Sequence, residues 1–463
     1  MSNCTVNEWE ELKKEITPYK EQLQNDKLKI RNNEEDLKPY IGEEYQRDYA
    51  RVVYSSSFRR LQGKMQLLKI DKDQFFRNRL THSLEVAQIA RSIASNLGYS
   101  TEELFVVEAA ALAHDIGNPP FGHAGEKKLN EMFNSIGGFE GNAQTLRVLT
   151  RLEEKKPAFN GLNLTNRTIL SIIKYYNTEN NNKEKFIYYN DYKMIEKIIG
   201  QDINIRTLDV QIVDLADEIS YAAHDLEDGL RVKAFTIDDI IYEFNLKYKN
   251  ENPIVCNKLL ELVEKAKKVA SNDYNSEISS LLYKKLFRQE LSSSLINTLM
   301  SDIGLVSIRD KKIEIGSVND KELGFKNFKD LAAGLKKITF ECINHTHEVY
   351  YYEECGKLTL EWLKNFYEEN VKYLPPEYRV KDLIRRKNYL INNDFLLPEN
   401  ELLNQEEKEK LVQQRLICDY LAGMMDSFAI STYESLSGRA FNNIVADIKN
   451  EKIKISVEKG AKC

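Results

Sequence analysis

The chain has 463 residues, 42% of them hydrophobic and 30% charged, and a formal net charge of −6. This is ample length for a large core, or for a core with appended lobes. The acidic balance argues against coating nucleic acid through overall charge, though a local basic groove stays compatible with it, and no apolar run is long enough to span a bilayer.

Residues 1–44 are polar and charged, and read as a surface-draped N-terminal arm with some helix. From Tyr45 onward the apolar spacing predicts helix almost everywhere. Ser83 to Leu97 forms one helix, with Gly98 as its stop. Thr101 is a suitable cap for a second helix, Glu102 to Asp115, which ends at Gly117. Phe139 to Glu153 and Leu164 to Tyr175 also read as helices, and Asn177 to Glu184 as a solvated loop. A helix from Thr207 to Leu230 follows, then a helical run from Leu259 to Val269. Ile308, Ile313 and Ile315 alternate with charged residues, which predicts a small β-hairpin within Val306 to Val318. Ala333 to Phe366 and Asn404 to Leu436 read as long amphipathic helices, and Lys449 to Cys463 as a loose end. The expected class is therefore mainly α: a helical bundle core over 45–235, and a further helical region over 236–463. There is no internal repeat and no P-loop or dinucleotide-binding glycine motif.

The start of the chain lacks the basic-then-apolar build of a secretory signal. Its six cysteines are scattered without a CxxC pair. Both features fit reduced thiols and a cytoplasmic protein.

The densest chemistry lies in His114-Asp115-Ile116-Gly117-Asn118-Pro119-Pro120-Phe121-Gly122-His123-Ala124-Gly125-Glu126. Adjacent His114 and Asp115 can share one divalent ion, since imidazole nitrogen and carboxylate oxygen both suit a borderline cation. Gly117 and the Pro119-Pro120 pair break the helix just beyond them. His123 and Glu126 are three residues apart, so on one helical turn the carboxylate can orient the imidazole. A metal corner beside an acid/base pair is what metal-assisted hydrolysis needs. Asp217, Tyr221 and Asp225 are spaced four apart and share one helix face. Spacing alone leaves that face either solvated or turned into a site, and leaves His82 either a core histidine or a ligand. His345-Thr346-His347 and Tyr350-Tyr351-Tyr352 read as surface or packing features. Asp419 and Tyr420 read as packing residues of a long helix.

Arg79-Leu80-Thr81-His82-Ser83, then His114-Asp115, then Asp217 resemble the H…HD…D ligand set of the HD-domain phosphohydrolases. Within that group the chain resembles the deoxyguanosine triphosphate triphosphohydrolase (dGTPase) branch. The resemblance is carried by Phe58-Arg59-Arg60-Leu61-Gln62-Gly63-Lys64-Met65-Gln66, by the run from His114 to Glu126, and by Asp217-Glu218-Ile219-Ser220-Tyr221-Ala222-Ala223-His224-Asp225. Phe139-Glu140-Gly141-Asn142-Ala143-Gln144 and Ile417-Cys418-Asp419-Tyr420-Leu421-Ala422-Gly423-Met424 add to it.

Taken residue by residue, the resemblance implies that His82, His114, Asp115 and Asp217 hold one divalent metal per subunit. Mn²⁺ or Mg²⁺ is expected; Fe, Zn, Co and Ni suit the same donors. It implies that His123 and Glu126 are catalytic. Gln66 and Leu67 would meet deoxyribose and base, and Tyr221 would pack under the sugar and exclude a 2′-hydroxyl. Asp225 would accept the 3′-hydroxyl, Arg79 and Lys174 would contact phosphate, and Asn118 joins the substrate-binding set. Tyr176 stands where the family pattern has a proline. The implied activity is hydrolysis of dNTPs, dGTP favoured, to deoxynucleoside and tripolyphosphate. The implied partners are a nucleotide effector or single-stranded DNA, and further copies of the chain in a tetramer or hexamer. The alternatives are another HD phosphohydrolase acting on a different nucleotide, or a regulator responsive to nucleotides or single-stranded DNA.

Overall fold

The computed structural model describes residues 3–34, 43–66, 77–156, 159–178, 182, 184–200, 203–272, 279–344, 347–387, 403–441 and 443–444. It is mainly helical, with one two-stranded antiparallel sheet. Among the described residues no helix is long and apolar enough to cross a membrane.

Three helices cross at the centre: Arg79–Asn96, Thr101–Ala113 and Leu208–Ser220. The first begins at Asn78, whose side chain accepts the Thr81 amide at 2.9 Å while its own amide donates to the Thr81 hydroxyl at 3.0 Å. The second begins at Ser100 rather than Thr101, because Glu103 lies three residues beyond Ser100 and completes the reciprocal pair of bonds. Such caps satisfy amides that a helix start leaves unpaired, and each is worth about 1 kcal/mol. Ala109, Ala110, Ala111 and Ala113 are all buried. Their small side chains let neighbouring helices approach closely and bring the polar ends of all three together.

The opening segment is more firmly packed than a draped arm. It forms helices Asn3–Glu15 and Thr17–Gln22, and Leu12, Ile16, Leu23 and Leu28 enter the main core. Arg31 ties its end down with bonds to Glu44 and the buried Asp48. The same core continues through Phe287, Leu295, Leu331 and Val349. A second apolar cluster packs Phe121, Leu129, Phe133 and Phe139 against Leu360, Leu363, Ile417 and Leu421.

Several elements differ from their sequence reading. The Thr207–Leu230 helix is interrupted by a π turn at Tyr221–Asp225. Leu164 to Tyr175 is helical only over Asn166–Leu170, and Arg206 binds the Lys174 carbonyl at 2.5 Å beyond it. The hairpin is present but displaced: Ile303–Ser307 pairs with Lys321–Phe325, Ile303 opposite Phe325. Lys312–Ile315 is instead one helical turn, closed by Gly316 in the left-handed region (φ 68°). Ala333 to Phe366 falls on Lys329–Asn344 and His347–Glu369, and Asn404 to Leu436 is interrupted after Ala422, giving Gln405–Ala422 and Asp426–Ser437. His345 and Thr346, like Lys449 to Cys463, lie outside the described residues.

Asp419 is more than a packing residue. Its carboxylate takes Arg147 at 2.7 and 2.9 Å and Gln144 at 2.9 Å, wholly inside the protein. Removing one partner of a buried pair leaves a charge without its counterion, which costs about 3–5 kcal/mol. Asp419→Ala is therefore expected to lower unfolding free energy by about that amount. Urea unfolding checks it, and a loss like that of an exposed substitution would contradict it.

Candidate active site

The N-terminal turn of Arg79–Asn96 presents His82, the end of Thr101–Ala113 presents His114 and Asp115, and the last turn of Leu208–Ser220 presents Asp217. One ligand atom from each of His82, His114 and Asp115 lies within 4.8 Å of the others, a cluster that could hold a metal ion. Asp217 Oδ1 lies 3.2 Å from His82 Nε2 and 3.6 Å from His114 Nε2. The cluster fits a divalent cation on two grounds. His114 Nδ1 is 2.6 Å from the Ala111 carbonyl, which fixes a proton there and leaves Nε2 as the ligand nitrogen. That Nε2 is buried, 3.5 Å from Asp115, and has no hydrogen-bond partner among the described residues.

The electrostatics carry the same sign. Burial pushes the Asp217 carboxyl up, but Lys174, His114 and His82 hold it well below the usual carboxylate range. Burial works against charge on His114, yet Asp115 and Asp217 raise it to about 9. Carboxylates thus converge where positive charge is favoured. Arg79 supplies some of it, 2.6 Å from Asp115 Oδ2. Its Nε is buried without a hydrogen-bond partner among the described residues.

Beyond Asp115 the chain has almost no room. A Cβ at Gly117 would lie 2.1 Å from the Thr145 nitrogen and 2.3 Å from the Gly141 carbonyl. Phe121 then adopts a left-handed conformation (φ 64°) and starts the helix Gly122–Met132. His123 and Glu126 share its first turn, with His123 Nδ1 3.2 Å from Glu126 Oε2. The other carboxylate oxygen accepts the Gly141 amide at 2.9 Å. Against the upward push of burial, His123 and that amide hold the Glu126 pKa below its ordinary value. Next to it, burial and the Glu126 charge raise Glu140 to about 7.

These groups open onto a cavity of about 520 Å³. Its wall includes Gln66, Arg79, His114, Asp115, Asn118 and His123, and further round Glu126, Lys174, Asp217, Tyr221 and Asp225. His82 lies behind that wall, its ring 4.9 Å from that of Tyr221. Leu67 lies outside the described residues. Lys174 sits 2.9 Å from Asp214 and 3.4 Å from Asp217. The Tyr176 amide donates to the Ile315 carbonyl at 3.0 Å, a bond that a proline could not make.

The sequence reading missed the far wall. Lys336 and Phe340, one turn apart on Lys329–Asn344, line the cavity, as does Glu353. The Lys336 ammonium stands 4.2 Å over the Tyr221 ring. The basic run from Lys326 to Lys337 was its one signal, and it reads equally well as a solvated face.

The crossing helices and this His/Asp cluster define an HD-domain phosphohydrolase. The HD domain family model matches residues 79–222, and the phosphohydrolase-associated domain matches residues 380–435. A deoxyguanosinetriphosphate triphosphohydrolase-like protein 2 from Vibrio cholerae is 40% identical over 92% of this chain and 97% of its own length. A deoxyguanosinetriphosphate triphosphohydrolase-like protein from Rickettsia typhi is 33% identical over 91% and 98%. The chain belongs to this deoxyguanosinetriphosphate triphosphohydrolase-like family.

One wall residue yields a pH prediction. Burial and Asp228 push Asp225 up to about 8, against the pull of Arg77 and Lys336 and with a further push from Asp217. An unfolded aspartate titrates near about 3.9. Between these values the folded state binds the extra proton, so this group's contribution to stability is lost as pH rises through about 8. Asp225→Asn removes that loss. The variant should gain stability over wild type progressively from about pH 4 to pH 8. Thermal unfolding of ligand-free protein across this range checks it; a difference independent of pH would contradict it.

Proposed function

We propose that this chain is a metal-dependent dNTP triphosphohydrolase, with dGTP favoured, that releases deoxynucleoside and tripolyphosphate. The observation that carries the reading is the presence of the His123–Glu126 pair beside His114 and Asp115 on one cavity that also exposes Tyr221 and Asp225, with His82 of the same metal cluster behind its wall. His82, His114, Asp115 and Asp217 are the residues that would hold one divalent cation, which when bound would polarise a phosphate oxygen and acidify a water.

The rest is done by side chains. Arg79, Lys174 and Lys336 line the cavity and offset triphosphate charge. Glu126 occupies the Nδ1 side of His123, which leaves Nε2 as the atom that would meet the substrate. In the overall reaction the bond between the α-phosphorus and the 5′-oxygen breaks, hydroxide from water joins the phosphorus, and a proton reaches the 5′-oxygen. His123 Nε2 would deliver that proton, as a general acid held in orientation by Glu126. Gln66 and Asn118 lie on the same cavity for the sugar and base. Tyr221 is flanked by His82 and Lys336, and in this reading it would pack under the sugar and exclude a 2′-hydroxyl. Asp225, on the same cavity, would accept the 3′-hydroxyl, and a polar group left unpaired there would cost about 1–3 kcal/mol.

Anion-exchange analysis of products from each dNTP and from GTP, with Mn²⁺ or Mg²⁺, tests the reading. Deoxynucleoside with intact tripolyphosphate is expected. His123→Ala should reduce kcat by about 10²–10⁴-fold. No turnover of any dNTP, even with mixed nucleotides or single-stranded DNA added, would overturn it. Tyr221→Ala should narrow the preference for dGTP over GTP by at least about tenfold. An unchanged kcat/KM ratio would remove Tyr221 from the sugar site.

A further inference from the structure

Asp426 is buried at the start of the helix Asp426–Ser437, and it does not line the cavity. Its Oδ1 accepts the Phe121 amide at 3.1 Å, and its Oδ2 accepts the Met65 amide at 3.2 Å. The Tyr352 hydroxyl donates to Oδ2 at 3.3 Å. The two amides belong to the segments on either side of the cavity: Met65 precedes Gln66, and Phe121 stands two residues before His123.

The surroundings show that this meeting is built. Phe121 is left-handed, a conformation that a non-glycine residue adopts only at a steric cost. Its ring is fully buried against Tyr352 and against Gly356, where a Cβ would lie 2.4 Å from the ring. A Cβ at Gly63 would lie 2.4 Å from Met425 Sδ, so the chain before Met65 sits directly on the residue preceding Asp426. The Lys64 ammonium bonds the carbonyls of Asn118 and Ala422. Three stretches distant in sequence, 63–65, 118–121 and 422–426, are thus joined by side-chain bonds to backbone groups.

We propose that Asp426 is a positioning residue. By gripping the Met65 and Phe121 amides with one carboxylate, it fixes the spacing between Gln66 on the sugar side and His123 on the phosphate side. This rests on the functional reading above. A displacement of about 1 Å at a reacting group can cost about 10²-fold in rate.

The test compares Asp426→Ala and Asp426→Asn with Tyr433→Leu, a buried site on the same helix that packs on Trp362. Kinetics are measured on dGTP and normalised to folded protein. Asp426→Ala should lower kcat by about 10²-fold and raise KM. Asp426→Asn, which keeps one acceptor oxygen, should fall between it and wild type. Tyr433→Leu should lose stability while keeping kcat and KM close to wild type. Hydrogen exchange should accelerate over residues 119–126 in the Asp426 variants and stay unchanged over 101–113. If Asp426→Ala does not fold, the Asn variant carries the comparison. Wild-type kinetics in the folded Asp426 variants, or equal losses in Tyr433→Leu, would overturn this inference alone. A wild-type enzyme that turns over no dNTP would overturn the functional reading, and this one with it.

Discussion

Concentrated buried charge at a helix crossing governs this structure. Two carboxylates and two imidazoles lie together out of water, and isolated buried charge is expensive. The surrounding network is the compensation. Asp217 is met by Lys174, and Lys174 by Asp214. Asp214 is met by Arg206, and Arg206 by Glu322 on the second strand. Glu322 is completed by Ser317 and Asn319. Alternating charge thus runs from the cluster to the small sheet. The sheet and its short helical insertion contribute to the site through this relay, although they lie outside the HD domain match.

The second constraint is space. Thr145 receives the Gly117 amide at 2.9 Å, and its own hydroxyl lies 3.0 Å from the His114 carbonyl. That contact is open only to a glycine at position 117. At Gly125 a Cβ would lie 2.0 Å from the Pro120 carbonyl. The glycines and alanines of this region therefore act as spacers. They set the backbone separations on which the histidines and carboxylates depend.

What could be read directly was whatever the chain holds locally. His114-Asp115 and His123/Glu126 are neighbours in sequence, and the structure keeps them as neighbours. The caps at Asn78 and Ser100 are equally local, yet the sequence reading begins the first helix at Ser83 and takes Thr101 as the second cap, one to a few residues late. Whatever depends on distant partners was less visible. Lys336 faces Tyr221 because separate helices meet there, and nothing in its own stretch distinguishes it from a solvated lysine. The π turn at Tyr221–Asp225 is flanked by α-helix on both sides, and the phase shift that one extra residue makes is too small to separate from an unbroken helix in the short apolar pattern. Asp419 and Asp426 resemble ordinary helix residues until their partners, Arg147 and the Met65 and Phe121 amides, are brought alongside.

The second apolar cluster bears on how far the molecule can be divided. Phe121, Phe133 and Phe139 all arise within the HD domain segment, yet the cluster they belong to is completed largely by side chains from residues 352–444. A fragment ending soon after residue 222 would retain every histidine and aspartate of the cluster. It would also expose three large aromatic rings on one flank, and surfaces of that kind promote self-association. The histidine-bearing half is thus not an autonomous catalytic unit to which a C-terminal accessory was added. Recombination that exchanged one half for a distant relative's would have to match this aromatic seam before chemistry could be inherited.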